Sequence, residues 1–360
     1  MLSLVHLPVE VLDVIFAPLP AHTLAALART NEHLNPSASR LLYRHVSLSS
    51  VTRNLSAVST LASRPHLSSL VRTFAITVED GAEGIDSGYY TQLSQALNDM
   101  KGLSTLEVHI DARLSWILPK PAPSKCPSPL EHFACSFGLD KHVARFLSST
   151  PSLRSLQLAS SPAWVDLPQS VIPNLTTYTG PPNLLAQLLP SRRLTSLHLS
   201  EDLSLADIEH FAQTTDAPTK PIPAARRHPP FPRTGIVANT TIETLSTITS
   251  AEPVAVIEAL GQFCPNLVSL QVIATCAFWQ TLDMAFYARI GSALSLMPRL
   301  LSFELSGMHW EFRPKSTLTA DGICVEKEWI SPPVTPRHGG VELDTNNDLD
   351  FEEAFMEWAY

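Results

Sequence analysis

The 360-residue chain has thirteen glycines against thirty prolines. Glycine so scarce speaks against a fold of many tight hairpins, and proline so common suits helix stops and polar connections. No run is long and apolar enough to span a membrane. The opening Met1-Leu2-Ser3-Leu4-Val5-His6-Leu7-Pro8 has no basic residue before its apolar ones and soon meets Glu10 and Asp13, so it does not read as a signal peptide. Five cysteines, Cys126, Cys135, Cys264, Cys276 and Cys324, lack paired spacing, which speaks against a disulfide framework and for a reducing compartment, cytoplasmic or nuclear. Basic residues are short as well. Net charge is −9, but residues 342–360 carry seven acidic residues and no Lys or Arg, leaving the body near −2. Neither part offers the broad positive surface that nucleic acid requires, and neither nucleic acid nor membrane is expected as a partner. Phosphate loops, dinucleotide fingerprints, nucleophile elbows and His-Glu-x-x-His are all missing. No catalytic residue, cofactor or metal site is therefore assigned.

What the chain has is a recurring frame: a leucine, two residues, an apolar residue, one residue, an apolar residue. It runs through Leu103/Leu106/Val108, Leu130/Phe133/Cys135, Leu153/Leu156/Leu158, Leu194/Leu197/Leu199, Leu267/Leu270/Val272 and Leu300/Phe303/Leu305, with weaker copies at Leu175/Tyr178 and Ile242/Leu245. The first central residues lie 27, 23, 22 and 19 apart, intervals that suit a leucine-rich repeat; later ones are 48, 25 and 33. Each copy is a strand too short to bury its own apolar face, so the next copy must cover it. Pro151, Pro173, Pro265 and Pro298 each stand two residues before a frame and stop the preceding helix. Segments such as Val143 to Leu147, Val254 to Phe263 and Ala285 to Leu296 carry helical apolar spacing. An irregular α/β solenoid over residues 50–312 is the expectation, followed by an extended acidic tail over 313–360.

Before the repeats, residues 1–45 hold three short helix candidates. The first starts after Pro8 and carries Val11, Ile15 and Leu19 on one stripe; the second carries Leu24 and Leu27; the third follows Asn35-Pro36 and carries Leu41, Leu42 and Tyr43. So short a module has little interior, and some of its apolar surface should await a partner. The order Leu7-Pro8-x-Glu10-Val11, Ile15-Phe16, Leu19-Pro20, Leu24, Leu27 and Leu41-Leu42-Tyr43-Arg44 resembles an F-box of the fungal kind that leads into leucine-rich repeats. Two positions depart from that pattern, Thr30-Asn31 and His33-Leu34. The resemblance implies a substrate receptor of an SCF-type ubiquitin ligase. In that reading Leu7, Pro8, Val11, Ile15, Phe16, Leu19, Leu24 and Leu27 bind a Skp-type adaptor, the repeats hold an unknown target protein, and catalysis belongs to other subunits. A helix stripe laid in a partner's groove is the matching physics. The rival readings are a repeat scaffold whose first helices only cap the stack, and an enzyme with an unrecognised site.

In each strand the residues flanking the central one point away from the core, towards an expected concave face. The preceding position is Ser or Thr in seven of eight copies, a ladder explained by cross-strand pairing. The following position varies, and Glu107, Gln157, His198, Gln271 and Glu304 are the expected partner-binding residues there. Weaker patterns have bland readings. Residues 216–235 form a proline-rich insertion with an Arg226-x-x-Pro229-x-x-Pro232 spacing. Asp344 to Asp350 begins like a calcium loop but has Leu349 where glycine is needed and Phe355 where a bidentate glutamate is needed. Cys126, His132, Cys135 and His142 are metal-capable, but Cys135 falls on a core-facing frame position.

Overall fold

The protein is seen here as a computed structural model that describes residues 7–79, 86–120, 129–159, 165–215, 239, 241–275, 284–319 and 322–330. It is a mixed α/β fold with a long, mostly parallel sheet. Three helices come first: α1 (Val9–Phe16), α2 (Ala21–Thr30) and α3 (Asn35–Arg44). Pro8 and Pro20 stand just ahead of α1 and α2, where a missing amide costs nothing. Leu12, Phe16, Leu24, Leu34 and Ala38 close a small core of their own, and Arg40 of α3 pairs with Asp13 of α1.

Among the described residues, twelve strands from residue 45 onward form one sheet in chain order. They are β1 (His45–Ser49), β2 (Thr73–Thr77), β3 (Thr105–His109), β4 (His132–Cys135), β5 (Ser155–Gln157), β6 (Thr177–Gly180), β7 (Ser196–Asp202), β8 (Thr244–Thr249), β9 (Ser269–Ala274), β10 (Ser302–Leu305), β11 (Met308–Thr319) and β12 (Gly322–Ile330). Between them lie α4 (Ala57–Ser63), α5 (Pro65–Ser68), α6 (Ser87–Asp99), α7 (Lys141–Leu147), α8 (Leu185–Leu188), α9 (Leu205–Thr215), α10 (Pro253–Phe263) and α11 (Met284–Leu294). β1 to β10 pair parallel, and each crossover brings a helix or turn back over the same face.

The frame explains the stacking. Leu106, Phe133, Leu156, Tyr178, Leu197, Leu245, Leu270 and Phe303 are aligned across successive strands and are all at most 3 % exposed, in one core with the helices. The entry to each strand repeats too. One carbonyl takes both of the next copy's leading amides: Ser104 and Thr105 donate to Arg72 at 2.8 and 3.1 Å, Glu131 and His132 to Ser104 at 2.8 and 3.1 Å, Arg154 and Ser155 to Glu131 at 2.8 and 3.0 Å. The pattern continues to Leu301 and Ser302 on Val268. Buried backbone groups are thus satisfied one copy at a time.

Two copies escape the leucine rule. The first frame runs from Tyr43 at the end of α3 to Val46 and Leu48 of β1, and the second from Val71 to Phe74 and Ile76 of β2, so the sheet begins at residue 45, before the expected boundary at 50. β6 breaks the rule differently. At Gly180 a Cβ would come 2.7 Å from the Tyr178 hydroxyl and 2.9 Å from the Leu158 carbonyl. The Tyr178 ring fills the room a leucine has elsewhere, and its hydroxyl donates to the Pro181 carbonyl at 2.9 Å.

The C-terminal end differs from expectation as well. Residues 313–319 and 322–330, taken as the start of the extended tail, continue β11 and form β12, an antiparallel pair at the end of the sheet. The sheet turns from parallel to antiparallel between β10 and β11, at a two-residue turn, Ser306 (φ 45°) and Gly307 (φ 83°), between the paired Leu305 and Met308. Both turn residues sit in the left-handed region that such a hairpin demands. Trp310 then covers the end of the core, its ring centroid 5.5 Å from Tyr287 on α11 and 6.0 Å from Phe303, and Phe312 meets Trp329 edge-on at 5.8 Å. The expected insertion at 216–235, the calcium-like loop and the tail from residue 331 lie outside the described residues.

Candidate functional site

α1 buries one apolar face in the module and leaves other apolar side chains exposed. Leu12 and Phe16 are 2 % exposed and point into the small core, while Val9, Val11, Val14 and Ile15 are 45, 42, 74 and 40 % exposed. No charged residue interrupts that outer stripe between Val11 and Ile15 except Asp13, which is turned to Arg40. Water therefore touches four β-branched side chains, each of which would gain part of the roughly 1.5–3 kcal/mol that burying a fully exposed one is worth.

The eight expected adaptor residues separate by burial. Pro8, Val11 and Ile15 are exposed; Leu7, Leu19 and Leu27 are half-buried against the module's core. Phe16 and Leu24 are buried at 2 and 6 %, so their side chains are part of the interior and offer no surface. The expectation that these two contact an adaptor is corrected on that ground. Val14 and Val9 were not among the expected residues. Val14 stands three residues after Val11, a neighbour on a helix surface that the strict four-residue spacing of Val11, Ile15 and Leu19 passes over.

The second surface is the sheet face turned away from the helices. Glu107, Gln157, His198, Gln271 and Glu304 all fall on one row, because the register runs Glu107–Ala134–Gln157–Thr179–His198–Ser246–Gln271–Glu304 across β3 to β10. The row extends to Ala75 and Ser47 at one end and to His309 at the other. The Ser/Thr row lies beside it, from His45 and Thr73 to Ser269 and Ser302. The groups bond to one another: Ser246 donates to the Gln271 amide oxygen at 2.8 Å, Ser196 Oγ lies 3.2 Å from His198 Nε2, and His309 Nδ1 is 3.5 Å from Glu304 Oε2. Burial holds His198 below the ordinary imidazole range; burial lowers His109 too, against the opposing pull of Glu107. An open cleft of about 360 Å³ at the β10–β11 end is lined by Leu301, Ser302, Phe303, His309, Trp310 and Phe312.

The metal-capable residues do not converge. His132 is exposed on the sheet's outer row, whereas Cys135 is buried on the opposite face, 3.7 Å from the Phe137 carbonyl and 3.8 Å from that of Gln157, its thiol pushed up to about 12 by burial. His142 belongs to α7, and Cys126 lies outside the described residues. Among the described residues no group of three His, Cys, Asp or Glu could hold a metal ion, and no helix is long and apolar enough to cross a membrane.

One residue with a large structural part gives no signal in the sequence. Arg192 is 4 % exposed and makes no ion pair among the described residues; its guanidinium donates to the carbonyls of Val171 (2.8 and 3.2 Å), Gln187 (2.9 Å), Pro168 (3.3 Å) and Leu188 (3.4 Å). It ties the end of α8 to the loop before β6, and burial lowers its pKa to about 10. No protein-family model matches the chain, and no curated protein matches it.

Proposed function

We propose that the protein is the substrate-recognition subunit of an SCF-type ubiquitin ligase, with residues 1–45 as an F-box and the repeats as a leucine-rich-repeat solenoid. In this reading α1 docks on a Skp-type adaptor and the polar row of the sheet receives the target protein. Ubiquitin transfer falls to other subunits, in the cytoplasm or the nucleus. The observation that carries the reading is the exposed Val11, Val14 and Ile15 stripe on a module whose leucines and Phe16 pack into or against its own core. An aliphatic stripe on a short helix is the shape a partner's groove takes up. The order Leu7-Pro8, Ile15-Phe16, Leu41-Leu42-Tyr43-Arg44 and the direct passage from α3 into β1 support the same assignment. Catalytic constellations give no competing account of these residues.

The test is co-expression of the full chain with a Skp-type adaptor and its cullin. The adaptor should co-purify with the wild type and be lost from Val11→Asp/Val14→Asp/Ile15→Asp. A folded triple variant that still retains the adaptor would overturn the assignment.

A further inference from the structure

The two outer rows from β1 to β10 have an unusual charge pattern. Their residues are hydroxyls, amides, imidazoles and alanines, with no Lys, Arg or Asp, and the fixed charges are Glu107 and Glu304 alone. These two glutamates stand on the same row, on β3 and β10, seven strand steps apart. At about 4.8 Å per step that is about 34 Å. Between them Gln157, Thr179, His198, Ser246 and Gln271 present donors and acceptors without net charge at neutral pH. Asp202, at the rim of the face beside Ile248, is already engaged by the Ser250 amide and hydroxyl.

Each glutamate has a histidine for its neighbour, Glu107 with His109 on the same strand and Glu304 with His309 across the turn. Glu304 is the more telling of the two. Its side chain is only 17 % exposed, so its charge is poorly hydrated and gains from a cation brought to it.

Resting on the proposed target-binding role of this face, we infer that the segment it receives is an extended, internally uncharged polypeptide with a Lys or Arg at each end, about ten residues apart. An extended chain rises about 3.4 Å per residue, so ten residues span the distance between the two carboxylates. The neutral middle fits the recognition of backbone amides and carbonyls by hydroxyl and amide side chains, and the terminal cations set the register. A segment with acidic ends meets like charge at both.

The experiment uses the full chain and synthetic eleven-residue peptides with Ser, Thr, Gln and Ala between their ends. One peptide has lysine at both ends, one has glutamate at both ends, and one has two lysines five residues apart. The widely spaced lysine peptide should bind most tightly, and more weakly as salt is raised. Glu107→Gln and Glu304→Gln should each weaken it about three- to fivefold, the size of one partly exposed ion pair, and the double variant should lose the preference for lysine ends. Three results overturn the inference: equal binding of lysine- and glutamate-ended peptides, indifference to both glutamine variants, or no binding of any peptide at millimolar concentration. Adaptor capture by the same preparations reads the ligase proposal separately, since both variants leave α1 untouched. Peptide binding that is lost in Gln157→Ala/Gln271→Ala but ignores the glutamates would overturn the charge rule and leave the target-binding role standing.

Discussion

The two parts of the molecule satisfy their apolar residues in opposite ways. In the sheet, every copy hands its frame residues to the next, and side chains as large as Phe74, Phe133 and Phe303 are at most 1 % exposed. The outward rows are polar. In the helical module five residues close a core, and four β-branched side chains of α1 are left in water. A stack of copies can bury everything but its ends, and here even the C-terminal end is covered by Trp310 and Trp329. A module of three short helices lacks that option, so part of the apolar surface of α1 stays exposed.

The contrast breaks most visibly in stability. Phe74→Ala removes a large side chain from the continuous core and should cost about 3–5 kcal/mol, seen as a lower midpoint of the main unfolding transition in calorimetry. Leu12→Ala should cost about 2–5 kcal/mol in the module, yet leave the main transition in place. A single shared transition that moves equally in both variants would show that the two cores unfold as one.

Arg192→Met is expected next in size. It leaves the buried carbonyls of Val171 and Gln187 without their donor at a cost of about 1–3 kcal/mol, while keeping most of the packing volume. Limited proteolysis should then open the loop before β6 first.

The sheet's polar face should also respond to acid. His198 and His109 are held below the ordinary imidazole range, so the unfolded chain takes up protons before the folded one does. Their contribution is present above the unfolded value of about 6.5 and is lost as pH falls through the lowered folded values. Urea midpoints measured from pH 7.5 down to 5 should fall, and His198→Gln should flatten the decline. At the small end of the scale, Val14→Ser should shift stability by only about 0.5 kcal/mol, because that side chain already faces water.

Much of this arrangement is legible before folding. A period of two within each copy places Glu107 and Glu304 on the same side of their strands, and equal frames put them on the same row. The helical spacing of Val11 and Ile15, and the prolines at 151, 265 and 298, point to elements that are present. Other features depend on neighbours that the chain order hides. The frames of β1 and β2 start at Tyr43 and Val71, which pack at the place a leucine takes elsewhere. Ser306-Gly307 reads as an ordinary turn until Met308 is seen paired with Leu305. Phe16 looks as available as Ile15 on a helix wheel, and burial alone separates them. Arg192 owes its position to carbonyls from two segments, and no spacing announces that.

The central claim is that α1 is a docking face and the sheet is not part of it. Its most direct test is the affinity of the full chain for a Skp-type adaptor, measured by titration calorimetry for three proteins: wild type, Val11→Asp/Val14→Asp/Ile15→Asp, and Gln157→Ala/His198→Ala/Gln271→Ala, each first shown to be folded by circular dichroism. The account predicts binding by the wild type and the sheet variant with the same affinity and none by the α1 variant. Equal affinity in all three, or no binding by the wild type, would contradict it.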